Sequence, residues 1–258
     1  MRAKARREGG AVSIHADEAV VLGTSPYSNT SLIATFLARS EGKIRVVARG
    51  ARSPKSKIGV GFEPASRIHA EWSMRASGNL GTLRHCDTVG VFHRLWADLD
   101  AMNAAAAILK SMDRIFGAGE GDEEHFDWLI AALEALDAGA DAGSVEAIFI
   151  AGMLRRLGIS PGLMYCHSCS KKPGSERAAL DIAAGELRCT RCVLPAGQAV
   201  RLKAGSVKAF AEALGLAPGK IQSVRFHPTI QGEIVRAARA LISFHMGISL
   251  PARQPQSS

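Results

Sequence analysis

No stretch of this 258-residue chain approaches the roughly 18 consecutive apolar residues of a membrane-spanning helix. No apolar stretch stands behind the basic start MRAKARREGG, so no secretory signal and no membrane are expected, and the protein is read as cytoplasmic. Internal repeats and low-complexity tracts are missing as well, which excludes a solenoid. Aromatic residues are scarce at 5%. Residues 1–84 hold only Tyr27, Phe36, Phe62 and Trp72, and Phe36 and Trp72 sit in apolar patterns, so core packing is expected of them before base stacking.

Residues 42–57, GKIRVVARGARSPKSK, lack any carboxylate and carry Lys43, Arg45, Arg49, Arg52, Lys55 and Lys57. A block this dense repels itself unless an anion meets it. The net charge of +8 is also segregated. Residues 1–84 have 14 Lys/Arg against 6 Asp/Glu, residues 85–162 have 5 against 13, and residues 163–258 have 13 against 5. Two basic blocks therefore flank an acidic one, a pattern that suggests polyanion binding near the ends of the sequence.

From Ile14 to Arg84 the apolar runs AVVLG, SLIATFL, KIRVVA, RIHAEW and LGTLRH are short and separated by turn chemistry. In KIRVVARG, Ile44, Val46 and Ala48 alternate with Arg45, Val47 and Arg49, as in a strand with one face in a core. Five such strands fit a small closed barrel of the OB type, and an SH3-like barrel fits the same pattern. After His85 the period changes. Leu95, Leu99, Met102, Ala106, Leu109, Met112 and Phe116 mark the apolar stripe of a long helix. A second helix is expected over residues 123–137, and a third from a Ser144 cap to a stop at Gly158. A fourth covers residues 206–214, and a last helix after Pro228 presents Ile230, Ile234, Ala237, Leu241 and Phe244 on one side. The expected fold class is α+β: a flexible basic arm over 1–13, a barrel over 14–84 and a helical domain over 85–250. The helical domain carries an insertion at 164–195, and a disordered tail covers 251–258.

The insertion holds the most specific motif. Cys166-His-Ser-Cys169 and Cys189-Thr-Arg-Cys192 are separated by 19 residues. Each short turn can aim two sulfurs at one tetrahedral ion, so the four cysteines are expected to bind one structural Zn2+. A shell closed by four thiolates leaves no place for a reacting water. His167 reads as a surface-loop residue, and Cys86 as a small core residue lacking an oriented base. His69-Ala70-Glu71 copies half of a zinc deaminase signature, but neither cysteine pair has the preceding proline. Residues 215–220, GLAPGK, are one residue short of a P-loop. No catalytic constellation emerges, and a non-enzyme is expected.

These parts in this order resemble the bacterial DNA repair protein RecO family. The resemblance rests on SPYSNTSLIATFLARSEGKIRVVARGARSPKSK, LGTLRHCD, the CHSC and CTRC pairs, and HMGISLPAR, which together extend over most of the chain. It implies a recombination mediator whose OB-fold binds single-stranded DNA, with double-stranded DNA a further candidate. The family anneals complementary strands and, with RecR, helps load RecA onto strands coated by single-strand-binding protein. The resemblance also implies a grip on that protein's acidic, apolar C-terminal tail. The basic stretch from Arg201 to Arg239, with Arg236 and Arg239 beside an apolar stripe, offers suitable chemistry. The basic lead before the barrel departs from the family as an extension, and the zinc cysteines are absent from some of its members. If Arg45 and Arg49 leave the barrel's wet face while Arg52, Lys55 and Lys57 ride the next loop, all six cations, Lys43 included, can track a phosphate backbone. The competing reading is a zinc-stabilised scaffold whose basic blocks meet acidic proteins.

Overall fold

The computed structural model describes residues 12–53, 62–76, 78–172, 177–192 and 199–250. Most of the expected N-terminal arm, the whole tail 251–258, and Lys55 and Lys57 lie outside the described residues. The chain divides into two compact units, Met1–Val91 with Gly117–Asp122, and Phe92–Phe116 with Glu123–Ser258.

In the first unit, β1 (Val12–Pro26), β2 (Leu32–Ala38), β3 (Gly42–Ala48), β4 (Arg67–Arg75) and β5 (Gly81–Gly90) close into a barrel in the order β1-β2-β3-β5-β4. All neighbours run antiparallel except β3 and β5, which are parallel and close the barrel at Val46 and Val47 opposite Gly81 and Thr82. The expected five-stranded OB-type class is therefore observed. One side chain in two points inward. Val21, Ala34, Phe36, Ile44, Val46, Ile68, Trp72 and Leu83 form the core, with Phe36 edge-on to Trp72 at 5.3 Å between centroids. Burial of each such large apolar side chain contributes about 1.5–3 kcal/mol, which agrees with the core role expected of both.

Two strands outrun the apolar runs that announced them. The first half of β1 pairs with β4 and the second half with β2, the change of partner being eased by an irregularity between Val21 and Gly23. β5 continues past Arg84 to Gly90 through mostly exposed residues.

The second unit contains two short 3-10 helices (Leu95–Ala97 and Pro218–Ser223) and α1 (Leu99–Ile115), α2 (Glu123–Asp137), α3 (Ala142–Arg156), α4 (Ala204–Leu214) and α5 (Pro228–Met246). Between α3 and α4 lie β6 (Arg177–Asp181), β7 (Glu186–Cys189) and β8 (Ala199–Lys203), an antiparallel sheet ordered β7-β6-β8. α3 is the hub: twelve of its fifteen residues are buried, and it packs against α1, α2, α4 and α5. At Gly152 a Cβ would run into the Trp128 indole, so this glycine sets the approach of α2 to α3.

Three local expectations need correction. The buried face of α1 is Ala101, Ala104, Ala105, Ile108, Leu109, Met112 and Ile115, while Leu99 is 69% exposed and Ala106 faces solvent. Leu109 and Met112 are buried as expected, and the four alanines in succession let the buried face turn away from Leu99 and Ala106. α3 is capped by Asp141, whose carboxylate accepts from the Ser144 N–H at 2.9 Å and from its hydroxyl at 2.7 Å. Ser144 is thus inside the first turn, although Gly158 does stop the helix with φ 73°. On α5, Ala238 and Ile242 are buried with Ile234, Ala237 and Leu241, whereas Phe244 is 58% exposed.

Candidate nucleic-acid interface and metal centre

The two cysteine pairs converge. Cys166 and Cys169 sit on a turn closed by the Ser170 N–H donating to the Cys166 carbonyl at 2.8 Å. Cys189 ends β7, and the Cys192 N–H donates to the Cys189 carbonyl at 2.9 Å. All four sulfurs lie within 4.8 Å of one another, and Cys169 and Cys189 are 3.8 Å apart. Tetrahedral coordination at about 2.3 Å per sulfur requires edges of about 3.8 Å. The cluster can hold a metal ion of that geometry.

The local electrostatics are compatible with anionic sulfurs. Burial opposes ionisation of Cys166, but the backbone N–H groups of Cys189, Cys169 and Ser168 outweigh it and pull the thiol down to about 6. The Arg191 N–H lowers Cys189. Cys192 is pushed up to about 12, first by the Cys189 side chain beside it and then by burial. Arg188, one residue before Cys189, ties the pairs together. Its guanidinium donates to Asp181 at 3.1 Å and to the Ser168 hydroxyl, inside the first pair, at 2.6 Å. His167 is exposed and pairs with Glu186, consistent with the surface-loop expectation.

On the barrel, β3 buries Ile44, Val46, Val47 and Ala48, leaves Lys43 half-buried and exposes Arg45, and Arg49, just past its end, is exposed as well. Arg45 and Arg49 are exposed and have no carboxylate partner among the described residues. Arg52 is exposed as well, its N–H donating to the Thr30 carbonyl and its guanidinium to the Ser28 carbonyl at 3.3 Å. Three other barrel arginines are engaged, Arg39 and Arg67 flanking Glu18 and Arg84 pairing with Glu71, while Arg75 at the end of β4 is exposed. Arg45, Arg49 and Arg52 thus form a run of exposed cations without a carboxylate partner among the described residues, from β3 into the segment after it. Lys43 is half-buried, and residues 117–122 dock on its backbone: its N–H donates to the Glu120 carbonyl and its carbonyl accepts from Gly119, both at 2.8 Å. A Cβ at Gly42, which has φ 69°, would collide with the Glu120 carbonyl, so this docking requires glycine there. No pattern in the sequence marks the loop as part of the barrel.

Cys86 is half-buried against the barrel core, and burial, aided by Asp87, pushes its thiol up to about 11, as befits a core residue and not a nucleophile. In the second unit Arg239 is not a solvated cation. Its guanidinium donates to the buried Glu146 carboxylate at 2.7 Å. Arg236 remains exposed and donates to the Arg201 carbonyl at 3.3 Å. Among the described residues no helix is long and apolar enough to cross a membrane.

Two family models match this sequence. Recombination protein O N terminal covers residues 12–92 and Recombination protein O C terminal covers residues 97–254. The chain is 31% identical to the DNA repair protein RecO of Geobacter sulfurreducens over 229 residues, 89% of this chain and 91% of that one. It is 29% identical to the protein of the same name from Anaeromyxobacter sp. (strain K), over 91% of this chain and 92% of the relative. For that of Moorella thermoacetica the identity is 25%, over 92% and 88%. The matched segments meet between residues 92 and 97, close to where the compact units change at Val91 and Phe92. Both halves being matched, and a relative at this identity spanning nearly all of both chains, the chain belongs to the recombination protein O family.

Proposed function

We propose that this protein is a DNA-binding recombination mediator of DNA repair that holds single strands on the outer face of β3. The observation that carries the reading is the pair of exposed arginines Arg45 and Arg49, continued by Arg52, which have no carboxylate partner among the described residues, on an OB-type barrel where Arg39, Arg67 and Arg84 are paired with glutamates. Lys43, Lys55 and Lys57 complete the proposed phosphate track, and double-stranded DNA is a further ligand. Phosphate contacts fix position without reading bases, so binding is largely indifferent to sequence. On this reading the protein anneals complementary strands and, together with RecR, helps load RecA onto strands coated by single-strand-binding protein in the bacterial cytoplasm. The four cysteines hold one zinc ion that staples the insertion. Its closed sulfur shell gives the ion no open position, in keeping with a non-catalytic role.

Replacing Arg45, Arg49 and Arg52 by Glu reverses the charge of the face and is expected to weaken single-strand binding uniformly across sequences, by at least about 100-fold from three lost phosphate contacts. Unchanged affinity in that variant would move the site elsewhere.

The acidic, apolar tail of single-strand-binding protein is assigned to the helical half. Arg239 is committed to Glu146, so the cations left for the tail's carboxylates are Arg236 and its exposed neighbours, Arg201 among them. A fluorescent tail peptide titrated against the intact chain should bind in the micromolar range, weaken with salt, and bind the Arg45, Arg49 and Arg52 variant equally well. Loss of peptide binding in that variant would place the tail on the barrel instead.

A further inference from the structure

β3 pairs with β5 only at Val46 and Val47, so its first residues run past β5 and leave one mouth of the barrel open. A cavity of about 400 Å³ lies there, lined by His15, Glu41, Arg45, Trp72, Asn79 and Gly119 among others. It falls within the first compact unit, and its volume is within the roughly 300–1,000 Å³ of small-ligand pockets.

Its wall is unusually well prepared. His15 and Trp72 are cross-strand partners on β1 and β4, and their rings are parallel within 10° at 5.6 Å between centroids. The imidazole is pinned at both nitrogens: Nε2 bonds the Ser13 hydroxyl at 2.7 Å, and Nδ1 bonds the Glu41 carboxylate at 2.8 Å. A ring held on both sides and backed by an indole loses little freedom when something stacks on its remaining face. Trp72 is fully buried, yet its Nε1–H has no hydrogen-bond partner among the described residues. Such an orphan donor is costly in a core unless a ligand or water supplies an acceptor. Arg45 places a positive charge on the rim, and Asn79 and Glu41 offer polar edges.

An unstacked nucleotide needs a flat ring to stack on, polar partners for its base edge, and a cation for its phosphate. We propose that this cavity takes one nucleotide of the bound strand, its base stacked on His15 and its phosphate against Arg45. The inference rests on the proposed phosphate track along β3 and adds to it a subsite for a base, where sequence reading expected phosphate contacts alone. Stacking on one ring is tolerant of base identity, so the subsite distinguishes a base from no base without selecting among bases.

The test compares the intact protein's affinity for oligothymidylate with that for an abasic oligomer of equal length and equal phosphate number. About tenfold tighter binding of the thymidylate is expected, as for one stacked base. His15→Ala should bring the two affinities together, and Asn79→Leu, which narrows the mouth from an exposed loop, should do so without touching the barrel core. If the protein binds both oligomers equally with a steep salt dependence, or if both variants keep the tenfold preference, the subsite is refuted while the phosphate track stands. If neither oligomer is retained at low salt, both readings fall.

Discussion

Glu18 is held by two arginines, Arg39 at 3.3 Å and Arg67 on the adjacent strand. Burial acts against its ionised form, but hydrogen bonding and charge from Arg67 and then Arg39 prevail, so its carboxyl titrates below the ordinary value of 4.5. A group whose folded pKa is depressed contributes stability that is fully present above its unfolded value and lost as the pH falls through the folded one. Glu18→Gln should therefore cost about 2 kcal/mol near neutral pH, the scale of charge-assisted hydrogen bonds in a partly buried site. The difference should shrink steadily below about pH 4.5 as the parent's own carboxylate is protonated. Urea unfolding of both proteins across that range checks it, and a difference that stays constant with pH would show that the ion pairs are not its source. The same arrangement explains why Arg39 and Arg67 are poor candidates for DNA contact. Residue type alone did not separate these neutralised arginines from Arg45 and Arg49. Arg39 reaches Glu18 across the β1–β2 hairpin, but Arg67 comes from β4, which is brought beside β1 only by long-range pairing.

At the scale of elements, what could be read depended on how each one earns its stability. β2, β3 and β4 carry their own apolar alternation and were legible, as was α2. β5 was seen only as far as Arg84, because its last residues are exposed and held by pairing with β4, which no local pattern reports. α1 was located correctly and its stripe was right at Leu109 and Met112, but the buried face is turned away from Leu99 and Ala106, since half of it is alanine that hydropathy hardly distinguishes from a solvent face. The sheet β7-β6-β8 was not anticipated at all. AALD and ELRC are too short for periodicity, and their order comes from the cysteine cluster beside them and from Arg188 bridging Asp181 to Ser168. The spacing of the cysteines was nevertheless legible, because ligand geometry constrains sequence separation directly. If a zinc ion closes this cluster, removing it should speed hydrogen exchange in β6, β7 and β8 while leaving β1–β5 protected. Purified protein should carry stoichiometric zinc. Metal-free protein whose exchange is unaffected by chelators would rule the ion out.

For the whole molecule, the segregation of charge along the chain acquires a spatial meaning on the first unit, where the exposed Arg45, Arg49 and Arg52 follow one another along β3 and the segment after it. The acidic middle block supplies the loop 117–122 that docks on Lys43 beside those cations. Glu120 and Asp122 lie in that loop. The proposed phosphate track predicts a definite number of contacts. The most direct measurement is the salt dependence of binding to a single-stranded oligonucleotide. Six phosphate contacts, from Lys43, Arg45, Arg49, Arg52, Lys55 and Lys57, at roughly −0.7 each give a slope of about −4 for log K against log salt. The Arg45, Arg49 and Arg52 triple variant should roughly halve it. A slope near zero in the parent, or one that the triple substitution leaves unchanged, would contradict the assignment of this face to DNA.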